Sequence, residues 1–428
     1  MTWNRRYQVK SYLRSALWII PFVAVPLEQV AWVLAHTLDT RLAWKGLALG
    51  VTGAQAMFNA VITLTLSFIV FTFGSLLVAI QVASGQYTPR IIATTLLRDN
   101  VIRCTVGLFV FTLLFAIKAA DRTEKTVYQL VAFVVGLLGL ICIVAFLFLI
   151  DYAARMLRPV SLVGRVGAYG LEVMESVYPE QSSEAQNIAA SRQSPGSVKR
   201  TILHRGKSAI VIAMNVEALV AEAEKAKGVI EFAPQVGDFV GSAEPLFLLH
   251  DGADAIDERK LRASVVLGDE RTMEQDPLFA FRILVDIAIK GLSKAINDPT
   301  TAVLAIDQLH RLLRSAGTRN LRTDQILDRA GELRVIFRTP NWEDFVHLAF
   351  SEIRFYGAEN MQIARRLRAM IVNLTDTLPA QRHSALRKEL ELLDRTIEKL
   401  YVLPEDLKLA SIPDLQGLGG SSHSAELS

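Results

Sequence analysis

VYQLVAFVVGLLGLICIVAFLFLI, residues 127–150, runs for 24 residues without a charged side chain. As a helix at ~1.5 Å per residue it is about 36 Å long, more than the ~30 Å hydrocarbon core of a bilayer. It reads as a membrane span, and the rest of the amino-terminal half falls into place around it. Residues 104–117 are apolar between Arg103 and Lys118; with both long side chains snorkelling to the interfaces, residues 100–120 cross as well. Residues 46–89 hold no charge over 44 positions, too long for one span and with no charged loop to divide it. We read residues 57–82 as the span and residues 46–56 (GLALGVTGAQA) as an outer-face or re-entrant piece, tolerated at membrane depth only if buried in protein or lining water. A further apolar stretch lies between Arg14 and Asp39, interrupted by Glu28 and bent by Pro21 and Pro26.

The charge distribution supports this division. Residues 1–160 carry 14 Lys+Arg against 6 Asp+Glu, and the remainder 32 against 37, so the overall +3 is a cancellation of +8 and −5. Two solvents are implied, lipid for the first part and water for the second. Two Cys residues exclude a disulfide scaffold, and a net acidic water-soluble part excludes a dedicated nucleic-acid binder. Four spans return both termini to one side. Arg5, Arg6, Lys10 and Arg14, then Arg90, Arg98 and Arg103, then Arg155, Arg158 and Arg165 all flank that side. The positive-inside rule makes it the cytoplasm. Arg5 to Arg14 ahead of an apolar run also resembles a signal peptide, but three more hydrophobic segments follow and no clean small-x-small cleavage site stands behind the first, so an uncleaved anchor is expected.

The second span is amphipathic in an unusual way. At ~100° per residue, Asn59, Thr63, Ser67, Gly74 and Gln81 share one stripe, and Thr65, Thr72 and Ser75 make another. Such a helix does not face lipid all round. The stripes serve either close packing through small residues and interhelical hydrogen bonds, or a water-filled path. Glu28 poses the same choice, structural partner or ion handling, since a carboxylate inside a span needs pairing, protonation or hydration. Gly136 and Gly139 are expected as packing notches. Gln86, Tyr87, Pro89 and Arg90 end the second span as an elbow suited to couple membrane and cytoplasm, followed by a short interfacial helix at residues 91–100.

The expected fold is thus a multi-pass α-helical membrane domain of four spans (1–160), a helix and polar linker (161–200), and a cytoplasmic α+β domain. That domain contains a small β-rich, barrel-hybrid-like unit (201–252) and a helical carboxyl-terminal part (253–403), ahead of a disordered tail (404–428). The β-rich unit is similar to biotinyl and lipoyl domains through Gly237, Asp238, Phe239, Val240 and Gly241 with Glu244, Pro245 and Leu246. No acceptor Met-Lys-Met stands in it, so it reads as structural. Gly206-Lys207-Ser208 lacks the leading Gly and following helix of a phosphate loop.

The densest polar constellation spans residues 269–302. Arg282, Asp286 and Lys290 stack four apart on one helix face, and Asp298-Pro299 is a cap and first-turn pair. Arg271, Thr272, Gln275 and Asp276 before one helix, with Asn297 and Asp298 before the next, form either a hydrogen-bonded joint or a ligand or catalytic site. His310 and nearby acids show no HExxH or paired CxxC spacing, and neither metal nor cofactor is expected.

Three stretches carry a family resemblance: SGQYTPR at residues 84–90, Gly237-Asp238-Phe239-Val240, and residues 270–279 (ERTMEQDPLF) with Asn297-Asp298-Pro299. Through them the chain resembles, over nearly its whole length, the predicted bacterial membrane proteins grouped as domain of unknown function 2254. Lys294 departs from the usual Pro before the Asn-Asp-Pro turn, and Ala209-Ile210 from a Gly-Tyr pair. The resemblance implies a four-span inner-membrane protein with a cytoplasmic domain and brings no activity with it. The expectation is therefore a non-enzymatic homo-oligomer, channel- or transport-like, with a regulatory cytoplasmic domain and the lipid bilayer as partner. The alternatives are a membrane-anchored enzyme or receptor using the Arg271 to Asp298 cluster, and a membrane scaffold.

Overall fold

The computed structural model describes residues 2–16, 18–42, 46–86, 99–123, 126–156, 158–181, 194–321 and 324–420. After a first helix, α1 (Trp3–Ser15), four helices among the described residues are long and apolar enough to cross a membrane: α2 (Ile19–Leu42), α3 (Val51–Gln86), α4 (Asn100–Arg122) and α5 (Gln129–Met156). The chain forms two units. One comprises Ser11–Gly85 and Pro89–Leu162; the other joins Met1–Lys10 to Val163–Ser428.

In the first unit, α3 differs from expectation. It begins at Val51 and runs 36 residues without interruption, so residues 51–56, read as part of a re-entrant piece, are its first turns. Only Gly53 disfavours a helix there, and Gln55 anchors the start by donating from Nε2 to the Thr123 carbonyl at 2.9 Å. The irregular backbone that remains ahead of the helix is short. Both amide groups of Leu49 are satisfied by the Gln129 side chain, at 3.0 and 2.9 Å. Asp39, near the end of α2, accepts the otherwise orphaned N–H of Leu130 in the first turn of α5 at 2.8 Å. The core between helices is Trp32, Phe58, Phe115, Val131 and Val135 with interleaved alanines. Close approach needs glycine: a Cβ on Gly139 would lie 2.8 Å from Val61, and one on Gly107 2.6 Å from Ile20.

The second unit is α+β. After α6 (Pro159–Val177) come β1 (Val198–Leu203), β2 (Ala209–Met214), α7 (Val216–Ala226), β3 (Ile230–Phe232), β4 (Phe239–Val240), β5 (Pro245–His250), α8 (Glu258–Ala263) and β6 (Val265–Gly268). The long helices α9 (Pro277–Gly291) and α10 (Pro299–Gly317) precede β7 (Gln325–Leu327) and β8 (Leu333–Phe337). Then α11 (Trp342–Gly357), α12 (Met361–Thr377), α13 (His383–Leu400) and α14 (Pro404–Ala410) close the chain. Two sheets result, β1-β5-β3-β8-β7 and β4-β2-β6. The β-rich region is not closed at residue 252: β8 pairs in parallel with β3, and β6 pairs antiparallel with β2. A side-chain cluster around Phe232, Phe247, Leu249 and Leu219 fills the space between. On the three-stranded sheet, Trp3 and Tyr7 of α1 pack against Ile210, Ile212, Ala213 and Val266.

Residues 404–420, expected to begin a disordered tail, are α14 and a hydrogen-bonded strap. Asp414, with no exposed surface, accepts N–H groups from Gln416, Gly417 and Gly419 at 3.1, 2.9 and 2.6 Å. Buried Arg365 donates to the carbonyls of Ile412 and Gly419. Gly- and Ser-rich composition reads as a tail because the arginines that hold it, Arg365 and Arg366, lie about fifty residues upstream.

Candidate functional site

In α3, Asn59, Thr63, Ser67, Gly74 and Gln81 are all exposed, so none of the other three spans covers this stripe. Ser67 closes on the Thr63 carbonyl at 2.7 Å, and the space above Gly74 is open, with no atom within 4 Å of a built Cβ. The second stripe is divided. Thr65 is buried and bonded back to Val61, Thr72 is buried, and Ser75 is exposed. An amide such as Asn59 on a bare membrane-facing surface costs several kcal/mol unless something polar meets it. Glu28 lies apart from this stripe, between α2 and α4. It is 2% exposed, its Oε1 is 3.6 Å from Lys118 Nζ, and its Oε2 accepts from Gln29 at 2.8 Å. Lys118 in turn sits over the Trp32 ring at 5.6 Å. Of the elbow, Tyr87, Pro89 and Arg90 lie outside the described residues, as does the helix read at residues 91–98, while Gln86 ends the α3 backbone.

The polar constellation of the second unit divides in two. Asp276 caps α9, its Oδ1 accepting from Phe279 N at 3.2 Å. Asp298 caps α10 through Thr301 N at 3.0 Å, with Pro299 in the first helical position. Asn297 takes a left-handed conformation (φ 49°) that turns the chain between the two helices. The 15 residues of α9 put its ends about 22 Å apart at ~1.5 Å per residue, so Asn297 and Asp298 do not meet Arg271, Thr272, Gln275 and Asp276.

At the first end, Arg271 Nε is 2.8 Å from Asp276 Oδ2, and its guanidinium lies 5.8 Å from the Phe279 ring. Gln275 Oε1 accepts Met214 N at 2.8 Å, fastening this end to β2. Gly237 (φ 93°) is pressed on the pair; a Cβ there would lie 2.3 Å from Arg271 and 2.4 Å from Asp276. This explains why a glycine stands in the Gly-Asp-Phe-Val stretch. Midway along α9, Arg282 bonds Asp286 at 2.7 Å and clasps both oxygens of Glu352 on α11. His310 pairs with Asn373 at 2.8 Å, and burial lowers its affinity for a proton. The groups thus act as joints between elements. Glu352 as partner of Arg282, Lys118 as partner of Glu28, and Arg365 as donor to the strap carry no sequence signal, since each contact is formed by packing between segments distant in sequence.

Burial pushes Asp276 up to about 6 from an ordinary 3.8, against the pull of Arg271, with Asp238 adding to the rise. Burial, with the Asp276 and Asp344 carboxylates, likewise pushes the Tyr178 hydroxyl up. A folded value above the unfolded one means the folded chain keeps its proton longer. That contribution, at most roughly 3 kcal/mol, is present in full below about pH 4 and is lost as pH rises through about 6. Asp276→Asn retains a capping oxygen for Phe279; thermal melts of the detergent-solubilised protein should lose part of the fall in stability between pH 4 and 6.5. Parallel melting curves for both proteins across that window would remove Asp276 as the cause.

The chain is 25% identical over 425 residues, 94% of its length and 80% of theirs, to uncharacterized protein Rv1290c of Mycobacterium tuberculosis (strain ATCC 25618 / H37Rv) and uncharacterized protein Mb1321c of Mycobacterium bovis (strain ATCC BAA-935 / AF2122/97). No solved structure matches it. The family model described as predicted membrane protein (DUF2254) matches residues 14–373, from the start of the membrane helices through most of α12, and the chain belongs to that family.

Proposed function

We propose that the protein is a homo-oligomer of the bacterial inner membrane in which the polar stripe of α3 lies between copies and lines or gates a path for ions or small solutes. The exposed line of Asn59, Thr63, Ser67, Gly74 and Gln81 carries this reading. Within one chain these groups have no neighbouring span to meet, and lipid offers them nothing. A second α3 offers amides and hydroxyls that donate and accept in turn, with Gly74 leaving room for close approach. Both termini are cytoplasmic in this reading: basic residues gather in sequence before α2 (Arg5, Arg6, Lys10) and at and after the end of α5 (Arg155, Arg158), and the seating of Trp3 and Tyr7 on the three-stranded sheet keeps α1 with the soluble region. That region, with its two sheets and helical layer, serves assembly and regulation.

Flux measurements on purified protein in liposomes are the direct test. A conductance or solute leak is expected, reduced several-fold by Asn59→Leu or Ser67→Leu, and Ser67→Cys chains should crosslink to each other under mild oxidation. Absence of flux under every condition, with monomeric protein in lipid, would overturn it. An enzyme or receptor built on Arg271, Asp276, Asn297 and Asp298 is not favoured, because the two halves of that set stand at opposite ends of α9.

A further inference from the structure

Between α3, α4 and α5 lies a crevice of about 200 Å³, lined almost wholly by apolar side chains, among them Leu76, Ile102, Phe146, Leu149 and Ala153. One group in it does not belong to an apolar surface. Thr72, 4% exposed, has a buried hydroxyl with no hydrogen-bond partner. Its neighbours on the same helix behave otherwise: Thr65 closes on the Val61 carbonyl at 2.7 Å, Ser67 on Thr63 at 2.7 Å, and Ser75 on Thr72 at 3.0 Å. A helical threonine ordinarily bonds back in this way, and a buried hydroxyl left without a partner is costly. Thr72 lines the crevice, and a turn about its Cα–Cβ bond to another staggered rotamer brings the unpartnered hydroxyl to face it.

The register of the helices sets the depth of this group. Val61 meets Gly139, and seven residues on in both helices Phe68 stacks on Phe146 at 4.0 Å, so α3 and α5 run parallel. Four residues further stand Thr72 and Ile150, and the next residue of α5 is Asp151, exposed and paired with exposed Arg155; Arg158 follows and is exposed. Thr72 therefore lies where the apolar stretch of α5 gives way to charge, the level at which a lipid's acyl chains join its polar backbone.

We infer that the crevice holds one membrane phospholipid, an ester carbonyl accepting a hydrogen bond from the Thr72 hydroxyl, one acyl chain lying against Phe146 and Leu149, and the phosphate reaching Arg155 or Arg158. The chemistry selects this occupant. An ester carbonyl is an acceptor without charge, matching a single neutral donor. A fatty acid whose carboxylate reached Arg158 would leave the Thr72 hydroxyl unmet beside its alkyl chain, and a quinone would meet the hydroxyl but bring no anion to Arg158; a phospholipid serves both.

Native mass spectrometry of the full chain released from a mild detergent tests it. One retained phospholipid per chain is expected. Thr72→Val, which keeps the shape and removes the donor, should lower retention roughly three- to tenfold. Ala153→Trp, which fills the crevice, should abolish it, and Thr65→Val, whose hydroxyl is already satisfied, should leave it unchanged; circular dichroism checks that each variant is folded. Wild-type protein without a stoichiometric lipid, equal retention in Thr72→Val and wild type, or a retained quinone or fatty acid in place of a phospholipid would each overturn the inference.

Discussion

Replacing Lys118 by leucine is expected to destabilise the membrane unit by about 3 kcal/mol, because it leaves the Glu28 carboxylate buried without its cation. Glu28 is 2% exposed, and its remaining partner is the Gln29 amide, which cannot neutralise it. Glu28→Leu alone should cost less, since Lys118 is the more exposed member and reaches solvent along its methylene stem. The double replacement should return close to the starting stability or exceed it, as removal of buried ion pairs often does. Unfolding in mixed micelles, read as a double-mutant cycle, measures the coupling directly. Additive single effects would show that the 3.6 Å approach contributes no interaction.

Asp414→Ala should be nearly as damaging to the soluble unit. It removes the acceptor for three backbone N–H groups in a site with no exposed surface, and each stranded donor carries about 1 kcal/mol or more. Arg365→Ala acts on the same strap from the other side: it opens a cavity in α12 and leaves the Ile412 and Gly419 carbonyls without their donor. Arg366, which bonds Asp307 at 2.7 Å and the Leu415 carbonyl at 2.8 Å, extends the clamp to α10. Both variants should lower the melting temperature of the soluble unit, and protease should then cut between residues 404 and 420. A chain ending at Leu403 that melts unchanged would show the strap to be a passive extension.

Much of the architecture can be read in the chain because its causes are local. Residues 127–150 span by absence of charge, and Asp276-Pro277 and Asp298-Pro299 begin helices by cap chemistry. What escaped depends on partners distant in sequence. β8 joins β3 across roughly a hundred residues, the strap is held by arginines of a preceding helix, and the cation for Glu28 comes two helices later. The grouping of Arg271 through Asp298 failed for a different reason. Proximity along the chain was read as proximity in space, although a rigid 15-residue helix keeps its two caps apart. The α3 stripe was visible as a periodicity, but its direction was not, because only packing reveals which side of a helix its neighbours leave bare.

The seat of α1 bears on the order in which the molecule is made. Trp3 and Tyr7 leave the ribosome more than two hundred residues ahead of the strands they cover, around Ile210 and Val266. At ~5–20 residues per second that interval is about 10 to 40 s. Through it the aromatic residues of α1 have no sheet to rest on, and a helix that carries Arg5, Arg6 and Lys10 has the anionic bilayer surface at hand. This segment is thus expected to change solvent during biogenesis, from membrane interface to sheet, and a bulky fusion placed before Trp3 should delay that step while leaving insertion of the spans intact.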